Sequence, residues 1–349
     1  MKIIGLDIGG ANTDCSIIEF NEEFEIISIK NNREYFPMWK NSDRLQECLK
    51  KFIINDMDID IVCVSMTAEL ADGYKSKIEG VLDISSKVLE VFRKQEVYFV
   101  TFEGLKTFKE LENNPSIAAA ANWIGTSEII KYIQEDCIFM DIGSTTTDII
   151  PIKNKKEIAL GHTDLERLSS GELIYTGMLR TNLATIVHSV PIFGKNTRVS
   201  SEFFTISADV HRILGNINEK DYTCATPDGK EKDITSCKRR LSRLVCADLD
   251  TLDDTEITNL AKFIEKKQIK QIYKGLNEVV QRTHIDTVVI TSIGKGNLCE
   301  RAAKKLNLNI ISLDKHMPKK ATNVLTTLGA IQMFLDSLDK NVIIFEKSI

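Results

Sequence analysis

Two short stretches of the 349-residue chain carry the residue types from which phosphate chemistry is built. Asp7-Ile8-Gly9-Gly10-Ala11-Asn12-Thr13-Asp14 lies between apolar runs at 2–6 and 15–18, and Asp141-Ile142-Gly143-Ser144-Thr145-Thr146-Thr147-Asp148 lies between 137–140 and 149–150. Small residues let backbone N–H groups approach a phosphate, hydroxyls add donors, and aspartates can hold a divalent cation. At a constant offset (141 − 7 = 134), Asp7 matches Asp141, Ile8 Ile142, Gly9 Gly143, Thr13 Thr147 and Asp14 Asp148, five identities in eight positions. Repetition of this kind predicts two related half-molecules, each offering a hairpin turn. Facing each other across a cleft, the turns would clamp a phosphorylated ligand and Mg²⁺, with Gly9, Gly10, Asn12, Thr13, Gly143, Ser144, Thr145 and Thr146 on the phosphate and Asp7, Asp141 and Asp148 on the metal. Either loop alone reads equally as a plain hairpin turn, and it is the agreement of two copies that favours the clamp.

Other candidates stand where strands end. The buried strand 60–65 runs into a polar segment holding Glu69, Asp72 and Lys77, and ligands of open α/β sheets bind at such carboxyl edges. A helix capped by Thr67 with solvated charges accounts for the same residues. Segment 161–181 supplies Arg167 and Arg180, fork-shaped partners for a diphosphate or carboxylate, with Glu172 as a third substrate-binding candidate. Strand 286–291 opens into Gly294 and Gly296 before a helix over 299–306, a phosphate or nucleoside platform that lacks the third glycine of a dinucleotide fingerprint.

These positions need a scaffold of alternating strands and helices. Apolar periodicity predicts helices over 43–54, 83–95, 115–134, 254–282 and 321–338, and strands over 23–30, 97–101, 157–160 and 309–313. Residues 200–253 read as a mostly helical insertion, available as a lid or a homodimer contact, and the acidic run 248–254 as a helix N-terminus rather than a calcium loop. An apolar content of 43% is ample for two cores, and a net charge of −5 offers no basic stripe for nucleic acid. No apolar run approaches the roughly 20 residues of a membrane span, and the first residues enter a charged strand rather than a signal peptide, which points to the cytoplasm. Eight cysteines without Cys-x-x-Cys spacing read as buried, reduced thiols. Trp123 reads as core.

Two hairpins with aspartates at strand ends, followed by a strand-turn-helix, resemble the acetate kinase, sugar kinase, Hsp70 and actin superfamily. That resemblance implies a two-domain actin-like ATPase fold (a duplicated ribonuclease H-like α/β fold) with a central cleft: residues 1–134 as the first half, 135–324 as the second with its insertion near 200–253, and 325–349 as a helix and tail packing back on the first. A narrower resemblance covers nearly the whole chain. Gly5–Thr13, Thr67–Asp72, Ala120–Trp123, Asp141–Asp148, Gly171–Gly177 and Arg240–Asp248 are similar to motifs of the hydantoinase/oxoprolinase-related proteins of tetrahydromethanopterin-linked one-carbon pathways. Arg180-Thr181-Asn182 departs from that pattern, in which proline follows the threonine. The resemblance implies a step of methanofuran formation: γ-glutamyltyramine joins an aminomethylfuran-methanol diphosphate, its phenol oxygen displacing diphosphate to form an aryl ether. Glu69 or Asp72 would then be the general base. An ATP-dependent kinase or a ring-opening hydrolase of the same superfamily remains the alternative, and a nucleotide-driven switch a third.

Overall fold

The computed structural model describes residues 1–54, 58–292, 294–317, 319–322, 324–338 and 342–344. Two mixed sheets form its two halves. The first contains β1 (Lys2–Ile8), β2 (Asn12–Phe20), β3 (Ile26–Tyr35), β4 (Ile61–Met66), β5 (Glu96–Thr101) and β6 (Gly104–Lys106), in the order β3-β2-β1-β4-β5-β6. The second contains β7 (Cys137–Ile142), β8 (Thr147–Lys153), β9 (Lys156–Glu157) and β10 (Leu173–Ile174). After a separate pair, β11 (Ser189–Ile192) and β12 (Lys195–Arg198), it is completed by β13 (Thr287–Ser292) and β14 (Asn309–Ser312), in the order β10-β8-β7-β13-β14 with β9 beside β8.

The duplication seen in the sequence is a duplication of topology. In each half a hairpin's first strand lies at the centre, antiparallel to the second strand and parallel to a later one: β1 to β2 and β4, β7 to β8 and β13. Residues Ile3, Ile4, Leu6 and Ile8, like Cys137 to Met140, are buried, as central parallel strands covered on both faces require. The two hairpins also share their register. Asp7 lies opposite Asp14 and Ile8 opposite Thr13, while Asp141 lies opposite Asp148 and Ile142 opposite Thr147.

Several elements differ from their sequence patterns for identifiable reasons. The alanine-rich stretch 115–134 is not one helix: Pro115–Ala118 forms a 3-10 turn, Ala119 is extended, Ala120 is left-handed (φ 54°), and the helix proper is Asn122–Ile130. Helix propensity is a weak prior, and the chain must bend here at the cleft floor. The helix expected over 83–95 begins earlier, at Lys77, because Ser76 caps it by accepting from the Glu79 amide. The strand near 157–160 shrinks to β9, since the amides of Leu160 and Gly161 are taken by the Glu172 carboxylate. The insertion is mostly loop, with helices Ser207–Ile213 and Ile234–Arg243. It is pinned by a fully buried ion pair, Arg240 on Asp209 at 2.8 Å, with Asp228 on the other side at 3.1 Å. The acidic run does cap a helix: Asp253 accepts from the Glu256 amide at the start of Asp254–Thr283. Of the eight cysteines Cys246 is exposed and Cys224 half-buried, and the other six are buried.

The helix Leu325–Ser337 returns to the first half, where it crosses Asn122–Ile130. Glycines make the approach possible. A Cβ at Gly329 would stand 1.6 Å from the Gly125 carbonyl oxygen, and one at Gly5 would stand 2.2 Å from that of Thr327. Ser16 and Thr327 hydroxyls meet at 2.5 Å below this crossing. Residues beyond 338 expected as an apolar tail lie largely outside the described residues. Replacing Gly329 by valine must force the two helices apart, and we expect it to cost at least about 3 kcal/mol. A thermal unfolding midpoint equal to that of the wild type would contradict this packing.

Candidate active site

Both hairpin turns have the same backbone device. The Gly9 amide donates to the Asn12 carbonyl at 2.9 Å, and the Gly143 amide donates to the Thr146 carbonyl at 2.9 Å, equivalent positions at the offset of the repeat. The turns face each other across a cavity of about 460 Å³ lined by Asp7 and Gly9–Asn12 from the first half and by Asp141 and Gly143–Thr146 from the second. Thr13 and Thr147 are fully buried beneath the turns, so Thr13 is not at the cavity surface; the Thr147 hydroxyl donates to the Thr176 carbonyl at 2.7 Å. Gly177 presses on the second turn, for its Cβ would come within 2.6 Å of Ser144 and Thr145 backbone. The amides of Met178, Leu179 and Arg180 donate to the carbonyls of Gly143 and Ser144.

Like charges directly opposite in a hairpin repel, and each pair is answered by an arginine. Arg33 grips Asp14 through Nε at 2.6 Å and Nη2 at 2.7 Å. Arg167 holds Asp148 at 2.8 Å, is itself buried, and lies over the Trp123 ring at 4.8 Å. The inner members form no ion pair with a described residue, and the Arg33 charge reaches them only through space. Burial and the neighbouring Asp14 push the Asp7 carboxyl up to about 7, and burial and Asp148 push Asp141 up to about 7. The Asp7 Oδ1 atom is buried without a hydrogen-bond partner. The cavity wall therefore holds five carboxylates (Asp7, Asp14, Asp141, Asp148, Asp164) and three guanidinium groups (Arg33, Arg167, Arg180), a formal −2. With the raised Asp7 and Asp141 ionised, this wall repels an anionic ligand unless a cation accompanies it.

A divalent ion fits this site in one manner. Among the described residues no three His, Cys, Asp or Glu side chains converge as a direct ligand set, and Asp148, expected as a ligand, is committed to Arg167. Mg²⁺ commonly takes one or two carboxylates and completes its shell with water and phosphate oxygens. Asp7 and Asp141 offer that pair.

The other expected residues divide. Glu69 is 1% exposed, with Oε2 unpartnered, and burial raises it to about 7. It lies behind the wall formed by Thr67 and Ala120, electrostatically next to Lys77 and Asp164, and Asp164 reaches the cavity itself. Lys77 is half-buried, whereas Asp72 is exposed on the surface of the same segment. Arg167 and Arg180 line the cavity. Glu172 does not: its buried carboxylate receives the amides of Leu160 and Gly161, the Ser170 hydroxyl and Arg282, leaving nothing for a ligand. Gly294 lines a neighbouring recess of about 380 Å³ with Lys220, Asp221 and Thr291. Gly296 packs instead on Leu298 and Asn216, and Ile293 of this turn lies outside the described residues.

Sequence patterns missed Arg33 and Asp164, neither of which stands in a glycine turn. They also missed a second cavity of about 510 Å³ that opens from the turn tips Ala11, Asn12, Ser144 and Thr145 and is walled by Tyr35, Trp39, Tyr175 and Phe203. Aromatic side chains contributed by three separate stretches, around 35–39, 175 and 203, leave no periodic trace. A buried relay was equally invisible. The Asn216 carbonyl accepts from the Lys295 amide at 2.7 Å, the Asn216 side chain meets His211 Nδ1 at 3.0 Å, and His211 Nε2 meets Gln268 at 2.9 Å. Gln268 then donates to the Gly177 carbonyl at 2.8 Å, so the third turn is tied to the support of the second.

Comparison with known proteins gives consistent results. The family model described as hydantoinase/oxoprolinase matches residues 60–331. The chain is 39% identical over 97% of its length, and 99% of the relative's, to the (4-{4-[2-(γ-L-glutamylamino)ethyl]phenoxymethyl}furan-2-yl)methanamine synthase of Methanocaldococcus jannaschii. It is 38% identical over 55% of its length, and 87% of the relative's, to the synthase of the same name from Methanococcus vannielii. Among solved structures, the nucleotide-free acetone carboxylase matches with a TM-score of 0.55 at 11% identity over 94% of this chain and 69% of that one. An N-acetylmannosamine kinase-like protein from Listeria monocytogenes matches with a TM-score of 0.50 at 14% identity over 97% and 100%. These likenesses bear out the two-domain actin-like fold.

The relay has a pH signature. Burial lowers the His211 pKa from 6.5 to about 4, so the folded protein holds a neutral ring that the unfolded chain would protonate. Its contribution is complete above pH 6.5 and is lost as pH falls through about 4. Urea unfolding of wild type and His211→Gln between pH 7 and 4 is expected to show the wild-type advantage shrinking as pH falls; an advantage constant with pH would contradict it.

Proposed function

The chain belongs to the hydantoinase/oxoprolinase family, and from this premise we propose that it is the methanofuran-forming synthase: an enzyme joining γ-glutamyltyramine to an aminomethylfuran-methanol diphosphate. The observation that carries the reading is the pair of facing, equivalent hairpins with Asp7 and Asp141 inward and raised by burial, neither in an ion pair of its own among the described residues. In chemical class the reaction is an alkyl transfer. The phenol oxygen forms a bond to the furanylmethyl carbon, the bond from that carbon to the diphosphate oxygen breaks, and the phenolic proton passes to the protein.

Each residue has a proposed task. The backbone N–H groups of Gly10 and of Ser144 to Thr146, with the hydroxyls of Ser144, Thr145 and Thr146, receive the diphosphate oxygens, Gly9 and Gly143 shape the turns with their own amides, Asn12 adds its side-chain amide, and Arg167 and Arg180 add charge-assisted donors. Asp7 and Asp141 would hold Mg²⁺, which would supply positive charge to offset the wall and the departing diphosphate. Glu69 accepts the phenolic proton; a carboxyl raised to about 7 is matched to general base work near neutral pH. Lys77 and Asp164 set its field. Asp72, at the surface, has no part.

We further propose residues 1–134 and 135–324 as the two halves that close on the ligands, with the helix of 325–349 belonging to the first. No helix of the described residues is long and apolar enough to cross a membrane, and we place the reaction in the cytoplasm. The assay that tests the reading measures diphosphate release with Mg²⁺ and the furanylmethyl diphosphate, with and without γ-glutamyltyramine, beside ADP formation from ATP. Tyramine-dependent diphosphate without ADP is expected. ADP without ether product would return the chain to the ATP-dependent kinases and hydrolases. In the same assay Glu69→Gln is expected to lower kcat about 10²-fold or more; an unchanged kcat would remove Glu69 from the chemistry.

A further inference from the structure

The aromatic arm is unused by the chemistry so far. Its four rings come from both halves, Tyr35 and Trp39 from the first and Tyr175 and Phe203 from the second, and the arm meets the phosphate cavity at the hairpin tips. Tyr35, Tyr175 and Phe203 are 61%, 65% and 56% exposed. Large rings left open in a concavity, rather than scattered singly, mark a ligand surface.

We propose that this arm binds the aminomethylfuran group of the diphosphate donor; the inference rests on the condensing reading above. Reach decides between the two substrates. The furan stands one carbon from the diphosphate, so a diphosphate seated on Asn12, Ser144 and Thr145 must place that ring beside the turn tips, where the arm opens. The acceptor's phenol carries no anion to anchor it there, and its hydroxyl is needed near Glu69, against the part of the wall that Thr67, Ala120 and Asp164 form. In a displacement at carbon, the ring lies roughly perpendicular to the line joining incoming and departing oxygens. A side arm therefore holds the ring while leaving both ends of that line clear.

The charge also suits the donor. Its aminomethyl group is an ammonium at neutral pH, and the reacting carbon gains positive charge as diphosphate leaves. Aromatic faces attract both through their quadrupoles and offer no nucleophile to trap the cation. The Trp39 ring already carries a cation, the Arg180 guanidinium at 5.4 Å. Arg180 lines both cavities, so diphosphate can engage it and free that face.

Trp39 supplies the readout, because the only other tryptophan, Trp123, is buried under Arg167. With Mg²⁺ present, the furanylmethyl diphosphate, inorganic diphosphate, γ-glutamyltyramine and ATP are each titrated by intrinsic fluorescence and by calorimetry. The donor is expected to change Trp39 emission, with the change absent in Trp39→Phe. Trp39→Ala and Tyr35→Ala are expected to weaken donor binding about tenfold, to leave inorganic diphosphate binding and the KM for γ-glutamyltyramine unchanged, and to be rescued by Phe at either position. Tyr35 and Phe203 are exposed, so Phe203→Ala provides an arm variant whose folding is not at stake. Equal loss of donor and inorganic diphosphate would overturn the proposal, as would a raised KM for γ-glutamyltyramine or an effect of these variants on ATP alone. Failure of the condensing reading is separate: it shows as no ether product from wild-type protein, whatever the fluorescence.

Discussion

Two pairs of aspartates held opposite each other at the mouths of two hairpins are the constraint from which much of this molecule follows. Cross-strand carboxylates destabilise a hairpin, and in a cleft of low polarity they do so more strongly than in water. The fold answers the outer member of each pair differently. Asp14 is met from the neighbouring strand by Arg33, its register partner on β3. Asp148 is met by Arg167 from the helix Asp164–Ser170, which a capping box at Thr163 and Glu166 starts and left-handed Gly171 ends. Losing Asp148 would leave the buried Arg167 guanidinium unpaired, which typically costs about 3–5 kcal/mol, whereas the half-exposed Arg33 is screened by water and its pair is worth less. The inner aspartates, Asp7 and Asp141, are left raised and open to the cavity, which stores the capacity to receive a cation.

Keeping two hairpins at a fixed separation demands rigid supports. The helices Asn122–Ile130 and Leu325–Ser337 cross backbone against backbone at Gly125 and Gly329, and their apolar faces share one core with residues of both sheets. Behind the second hairpin, Glu172 gathers four donors and Gly177 lies flat on the turn. Beside it, the chain of Asn216, His211 and Gln268 carries the position of the third turn to that support. Burying a neutral histidine costs less than burying a charged one, and with both ring nitrogens satisfied the network has a reason to be specific. The motif Arg240–Asp248 serves a similar end in the insertion, where Arg240 and Asp209 neutralise each other with no exposure to solvent.

Polarity is divided within the cleft. One end is dense in carboxylates and guanidinium groups, and the other is walled by aromatic rings. Such a division suits a ligand with an anionic head and a ring close behind it. Glu69, withdrawn behind Thr67 and Ala120, retains a pKa near neutrality only because water is excluded from it.

The sequence by itself determined the duplicated hairpins, the strands that flank them and the aspartates at their mouths, because these are local: alternating or continuous apolar runs, a glycine turn and a repeat at constant offset. It also carried the family, through six separated motifs. What it could not determine is whatever depends on which segments meet. Glu172 looked like a ligand group until Arg282, far along the chain, and three nearer donors closed on it, and the stretch 115–134 looked like one helix until the cleft required Ala120 to turn left-handed. Arg33, Asp164 and the four rings of the arm became a site only when two sheets brought strands, loops and insertion to one place. Local pattern fixes which backbone forms, since propensity and periodicity act over a few residues. Tertiary structure alone decides which charges lose water and find partners, since burial is a property of the assembled fold.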